Sequence, residues 1–299
     1  MPQPVLLFGV GATKAGTSWL YRYLSAHPDC AMPSVKEAHY WDSFTQSVQD
    51  RQITQLQSQV NDLQTTKAEK DAQGPAWQIR KIARRIDEVT GLMDVLRGDR
   101  RDDLAYRKWL LTGREDARIV GDVTPSYSLL PDDMLSRMLH LTPTTRFIYL
   151  IRDPLDRLWS HIRMIAHRQQ PDVADFTKKA NAVLSRTLDR GTDTPTFARG
   201  DYRTNIARLR RVIPQDRLLV QFFEDLFTPA GVARLCDFLG IAPLDKMRDR
   251  VIHGGQKAVM QDALRPKALQ MLRAQYDWVA QNVGPLPQRW QDNQARMTA

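Results

Sequence analysis

The chain has 299 residues, 42% of them apolar and 26% charged, and its 43 Lys and Arg exceed its 34 Asp and Glu for a formal net charge of +9. That length supports one large folded unit or two small ones, and the composition excludes a disordered or fibrous chain. The cationic excess suits polyanionic ligands, yet no helix-turn-helix, zinc-finger or RNA-binding signature accompanies it, so nucleic acid is not an expected partner.

Val5 to Gly11 is almost wholly apolar and reads as a strand buried in a parallel sheet. A Gly-rich turn bearing Lys14 follows, and from Thr17 the pattern is helical, with Trp19, Leu20, Tyr23 and Leu24 on the buried face. Strand, loop and helix in that order make an anion site. The free N–H groups of the helix, the positive end of its dipole, the hydroxyls of Thr17 and Ser18 and the ammonium of Lys14 converge on the loop. A Walker loop places its Lys directly after the last Gly, so that it folds over nucleotide phosphates. In T-K-A-G-T-S, Lys14 stands two residues before Gly16, which does not fit an ATP or GTP loop.

His27, Pro28 and Asp29 break the first helix, and a short apolar stretch through Met32 leads to V-K-E-A-H-Y-W-D at 35–42. By composition this is a charged turn of Lys36, Glu37 and His39 anchored in the core by Tyr40 and Trp41. Residues 44–98 then carry two heptad seams, Ile53, Leu56, Val60 and Leu63, and Ile79, Ile82, Ile86, Val89, Met93 and Leu96. The breaker Asp71 to Pro75 between them predicts an antiparallel helical hairpin inserted as an arm. Its role is open: it could pack on its own domain, dimerise, or border a binding cleft.

Leu104 to Leu111 reads as a helix and Arg118 to Gly121 as a strand, followed by G-D-V-T-P-S-Y at 121–127. There Pro125 stops regular structure, and Asp122, Thr124, Ser126 and Tyr127 offer polar groups where open α/β sheets bind ligands. After a helix over 131–141, Phe147 to Ile151 is a buried strand ending in Arg152, with Asp153 and Pro154 placed to start another helix. Arg152 can grip a phosphate bidentately or pair with Asp153 or Asp156. Residues 172–213 are helical and Arg-rich, with the loop 191–200 expected as a mobile segment near the acceptor side; a strand at 217–223 and helices at 229–239 and 265–282 follow, and the Pro-rich end is expected to be loose.

T-K-A-G-T-S resembles the phosphosulfate loop of the sulfotransferases, which use 3'-phosphoadenosine 5'-phosphosulfate (PAPS). Three further segments resemble that family in order. K-E-A-H-Y-W-D is similar to a pattern of its glycan-modifying type, and G-D-V-T-P-S-Y to a segment that lines its active site. R-D-P-L-D-R-L-W-S from Arg152 to Ser160 is similar to its 3'-phosphate site. The resemblance covers most of the chain apart from the arm and the tail. It implies an α/β fold, a P-loop-like parallel sheet flanked by helices, in a single domain spanning 1–299 with the hairpin inserted. It implies PAPS binding by Lys14, Ala15, Gly16, Thr17, Ser18 and Trp19, with Arg152 and Ser160 on the 3'-phosphate. Lys257, in the Gly-rich H-G-G-Q-K at 253–257, is a weaker candidate in a late loop over the nucleotide.

The implied reaction is in-line sulfuryl transfer to a hydroxyl or amine, with release of 3',5'-adenosine diphosphate (PAP) and no required metal. Glu37 is the implied general base and His39 the alternative, since both would face one side of an extended stretch. Lys36 is assigned to sulfuryl oxygens or acidic acceptor groups, and Asp122, Thr124, Ser126 and Tyr127 to the acceptor, which is a glycan, a lipid headgroup or a small molecule. A small-molecule kinase and an inert nucleotide-binding scaffold are the alternatives. The misplaced Lys opposes the first, and the intact Lys14, Glu37, Arg152 and Ser160 oppose the second. Cys30 and Cys236 form no C-x-x-C, no run approaches the ~20 apolar residues of a spanning helix, and no basic leader is seen. Animal Golgi members carry an anchor, so a soluble, bacterial, cytoplasmic protein is expected, with a homodimer through the arm possible.

Overall fold

The computed structural model describes residues 3–71, 74–244 and 255–297. Strands β1 (Val5–Gly11), β2 (Cys30–Ala31), β3 (Ile119–Val123), β4 (Arg146–Ile151) and β5 (Leu218–Phe222) form one parallel sheet ordered β2-β3-β1-β4-β5. Helices α1 (Thr17–Ala26), α2 (Gln46–Asp71), α3 (Ala76–Arg97), α4 (Leu104–Leu111), α5 (Asp132–Leu139) and α6 (Pro154–Gln169) belong to its first part. The second part holds α7 (Phe176–Asp189), α8 (Pro195–Ala198), α9 (Tyr202–Val212), α10 (Pro229–Leu239), α11 (Arg265–Asn282) and α12 (Gln288–Ala295). Strands β1 and β4 are buried from Leu6 and Phe147 onward, which is why both are continuous apolar runs rather than alternating ones.

β1 is the central strand, paired with β3 from Val5 to Gly9 and with β4 from Leu7 to Gly11. The chain leaves β1 for one side of the sheet and later crosses to the other, so a crevice opens beyond the carboxyl ends of β1 and β4. Phe8 on β1 meets Phe147 at 5.6 Å between ring centroids and the edge of Trp41 at 6.4 Å. The 35–42 segment is thereby anchored on the sheet, each such aromatic pair adding about 0.5–1.5 kcal/mol beyond area burial.

The hairpin forms, but its seam is buried only near its base. Leu56, Val60 and Leu63 of α2 and Val89, Met93 and Leu96 of α3 are buried, whereas Ile79, Ile82 and Ile86 are half-exposed towards the tip. Gln52, not Ile53, takes the first buried position. Glu88 of α3 fastens the base: its carboxylate accepts from the Ser34 N–H at 2.9 Å and pairs with Arg114, and its carbonyl accepts from Trp109 Nε1 at 2.9 Å.

Two expectations fail. The C-terminal end is not loose, because Trp290 of α12 is fully buried against Tyr202, Phe222 and Tyr276. Segment 191–200, read as a loop, contains a short helix, α8, and its Thr196 carbonyl accepts from the buried Arg157 at 3.2 Å. Among the described residues no helix is long and apolar enough to cross a membrane.

Candidate active site

The loop after β1 is held by two backbone bonds: the Ala12 N–H donates to Leu150 O on β4 at 2.7 Å, and the Ala15 N–H closes the turn on Ala12 O at 3.0 Å. Lys14 at φ 70° and Gly16 at φ 98° are left-handed, a conformation costing a non-glycine residue roughly 1–2 kcal/mol. Gly16 is also the N-cap of α1, where it offers no capping side chain, and the first turn has no acidic residue. The Trp19 N–H donates to Gly16 O at 2.9 Å, so the N–H groups of Thr17 and Ser18 are the ones left for a ligand. Thr13 Oγ1 and Trp19 Nε1 are buried without a hydrogen-bond partner. Burial, together with Arg163, Arg152 and Arg168, pushes the Lys14 pKa down. Mutually repelling cations beside unspent donors fit an anion carrying several acceptor oxygens. Lys14, Gly16, Thr17, Ser18 and Trp19 line this cleft, while Ala15 is fully buried beneath it.

β4 delivers Arg152 to the same space. Tyr202 Oη accepts from the Arg152 N–H at 3.1 Å and donates to its carbonyl at 2.6 Å, and the guanidinium lies 4.9 Å from the Phe223 ring centroid. Pairing with the neighbouring carboxylates does not occur. Asp153 caps α6 through the Asp156 N–H at 2.8 Å and accepts from Tyr276 Oη at 2.7 Å, and Asp156 pairs with Arg289 at 2.8 Å. Along α6, Ser160, Arg163, Met164 and Arg168 share the face turned to the cleft, at helical spacing. Trp159 Nε1 and Arg163 donate to the carbonyls of Ala258 and Gln256, both at 3.2 Å, which seats the 255–258 segment on α6. Lys257 itself is exposed and off the cleft wall, and His253 and Gly254 of the same motif lie outside the described residues.

Opposite the loop, Lys36, Glu37 and His39 enter the cleft from a segment that is not extended: Glu37 has φ 64° and His39 φ 53°. The two side chains still meet, His39 Nε2 standing 3.6 Å from Glu37 Oε2. His39 Nδ1 lies 2.9 Å from Asp42 Oδ2, and Ser126 Oγ also donates to Asp42. Lys36 pairs with the other oxygen of Glu37. Burial alone would raise the Glu37 carboxyl, but the hydrogen bond from His39 and the charge of Lys36 outweigh it and hold the pKa at about 2. Burial likewise opposes the charged form of His39, yet Asp42 and Glu37 raise its pKa to about 9. At neutral pH the pair is a carboxylate and an imidazolium.

Of the polar residues at the end of β3, only Ser126 reaches the cleft. Asp122 is buried beneath it and accepts from Tyr106 Oη at 2.8 Å, Thr124 Oγ1 at 2.7 Å and Tyr127 Oη at 2.7 Å. The Tyr40 N–H in turn donates to Tyr127 Oη at 3.0 Å. Asp122, Thr124 and Tyr127 are therefore the bracket that holds 35–42 against the sheet, not groups presented to a ligand.

The whole cleft encloses about 1210 Å³. Its walls include residues that sequence reasoning did not name, Arg163, Arg168, Arg199 and His161, and a face of α2, the cleft-bordering alternative left open for the arm. His161 is kept neutral there, its pKa pushed down to about 3 by burial and by Arg157 and Arg199. The signal for the α6 cations was the helical spacing from Ser160; Arg199 lies in the 191–200 segment expected near the acceptor side, but nothing singled out the residue itself. Among the described residues no group of three His, Cys, Asp or Glu is placed to hold a metal ion.

The fold has a solved counterpart. A sulfotransferase from Alicyclobacillus acidocaldarius superposes with a TM-score of 0.58 at 23% identity, covering 97% of this chain and 100% of that one. The sulfotransferase domain of the Synechococcus PCC 7002 olefin synthase gives a TM-score of 0.43 at 18% identity, covering 99% of this chain and 93% of that one. No curated protein matches. Residues 4–246 match the sulfotransferase family, a span holding the loop after β1, the Glu37 segment, the end of β3 and the Arg152 turn. By that match over most of its length, the chain belongs to the sulfotransferase family.

Proposed function

We propose that this protein transfers the sulfuryl group of PAPS to a hydroxyl or amine, releasing PAP. The observation that carries the reading is one cleft in which an ionised Glu37 faces a Lys14-bearing anion loop, with Arg152 left unpaired by its neighbouring carboxylates. PAPS supplies an activated S–O bond to its 5'-phosphate. Lys14 and the N–H groups of the first turn of α1 bind and stabilise the charge that gathers on that phosphate as the bond breaks. Arg152 and Ser160, with Arg163 and Arg168 farther along α6, hold the remaining phosphate charge.

Glu37 takes the acceptor proton as the acceptor oxygen or nitrogen bonds to sulfur. It is the base rather than His39, because a group with a pKa of about 9 is already protonated at neutral pH. His39 and Lys36 orient the carboxylate, and Asp42 fixes the imidazolium. The left-handed backbone at Lys14, Glu37 and His39 supports this reading, since such conformations persist where a site requires them. The direct test uses PAPS labelled in its sulfuryl group with a mixed set of sugars, phenols and alcohols. Label is expected in an acceptor with stoichiometric PAP; a protein that binds PAP yet never forms it from PAPS with any acceptor contradicts the proposal.

A further inference from the structure

The arm contributes a wall to the cleft. Val48, Arg51, Gln52, Gln55, Leu56 and Gln59 of α2 border the same space as Glu37. Their spacing of 3, 1, 3, 1 and 3 is one helical face, so Arg51, Gln55 and Gln59 make a polar rail roughly 12 Å long at 1.5 Å per residue. The rail is registered to the catalytic segment: Gln52 Nε2 donates to the carbonyl of Ala38, the residue between Glu37 and His39, at 3.3 Å. The base of the arm is locked, since Gln49 donates to Leu96 O and Glu88 binds the Ser34 N–H just before that segment. Arg51 and Gln55 are exposed, and Arg51 has no ion-pair partner among the described residues.

We infer that this face of α2 is the acceptor-recognition surface and that the acceptor is a saccharide bearing an acidic group. The inference rests on the sulfotransfer reading and assigns its second substrate. Each glutamine amide offers two donors and a carbonyl acceptor, the complement of a hydroxyl, which also donates and accepts. A phenol or an alkyl chain laid along the rail would cover those amides without offering them hydrogen-bond partners. Arg51, a fixed guanidinium fork, binds the acidic group bidentately. Val48, half-buried, supplies an apolar edge beside the rail. The saccharide hydroxyl so held bonds to sulfur as the S–O bond to the donor phosphate breaks, and its proton passes to Glu37.

The test compares transfer from labelled PAPS to a digalacturonate, maltotriose, 4-nitrophenol and dodecanol, in the native protein and in the triple variant Arg51→Ala, Gln55→Ala, Gln59→Ala. Gln57→Ala, at an exposed position on the opposite face of α2, is the control, and PAP affinity is measured by calorimetry throughout. Saccharides are expected to be sulfated, digalacturonate best. The triple variant should raise the saccharide KM about tenfold or more, as three hydrogen bonds of about 0.5–1.5 kcal/mol each require, with PAP affinity and kcat retained. Arg51→Ala alone should erase the preference for digalacturonate over maltotriose. Sulfation of phenol or dodecanol but of neither saccharide overturns the inference, as does an unchanged saccharide KM in the triple variant. Loss of PAP binding in the native protein would instead overturn the sulfotransfer reading beneath it.

Discussion

Glu37 is the residue on which the proposed chemistry turns. Replacing it with Gln keeps its volume and removes its basicity, so kcat should fall by about 10²–10⁴ while PAP still binds; a variant with full turnover would remove Glu37 from the mechanism. The Glu37–His39 pair also sets a pH signature. His39 is raised from 6.5 to about 9, so its contribution to stability is fully present below pH 6.5 and is lost as pH rises through 9. Glu37 is lowered from 4.5 to about 2, so its contribution is present above pH 4.5 and is lost as pH falls towards 2. The Tm gap between the native protein and His39→Gln should therefore be widest between about pH 4.5 and 6.5, shrink through neutrality and close above pH 9; a gap independent of pH would show that His39 is not charged in the fold. Lys14, Glu37 and Arg152 were legible from motif alone. That Glu37 and His39 share a side was also expected, but from an extended segment, whereas two left-handed residues achieve it.

At the scale of elements, the site depends on two close fits. A Cβ on Gly16 would stand 2.5 Å from the Phe223 ring that lies under Arg152. Gly16→Ala should therefore fold but bind PAP at least about tenfold more weakly, because both the loop and the Arg152 platform must shift. Unchanged affinity by calorimetry would separate the loop from the nucleotide. Asp122→Ala would strand three buried hydroxyls and should cost about 3 kcal/mol or more in urea unfolding, whereas Asp122→Asn should cost less. A normal unfolding midpoint for the alanine variant would contradict the bracket role.

Apolar periodicity located most elements: α4, α10 and α11 fall on the expected spans. It missed α12, whose burial rests on Trp290 in an otherwise polar stretch. Nor could it assign Asp122, because a carboxylate at a strand end reads the same whether it faces a ligand or three buried hydroxyls.

Over the whole molecule, the parallel α/β class followed from apolar runs alternating with helical patterns, but the strand order did not, since only tertiary contacts choose between the two sides of β1. The arm was legible as a hairpin, and its place on the cleft stayed one of three open alternatives: the face that borders Glu37 is largely polar, and polar periodicity looks like solvent exposure. We hold the arm and the sheet to be one folded unit, because Gln52 and Glu88 tie the arm to the segment that carries Glu37. The cleft gathers Lys14, Lys36, Arg51, Arg152, Arg163, Arg168 and Arg199 against Glu37 and Asp42. PAP binding should therefore weaken steadily with added salt while resisting a chelator. Loss of binding on adding EDTA would show that a metal, not Lys14, carries the phosphate charge.

Calorimetric titration with PAP beside ADP and Mg–ATP tests the central claim most directly, because PAP and ADP differ by the 3'-phosphate assigned to Arg152 and Ser160. Tight, metal-independent PAP binding with much weaker ADP binding is the expected result. Equal affinity for PAP and ADP, or a preference for Mg–ATP, would contradict it.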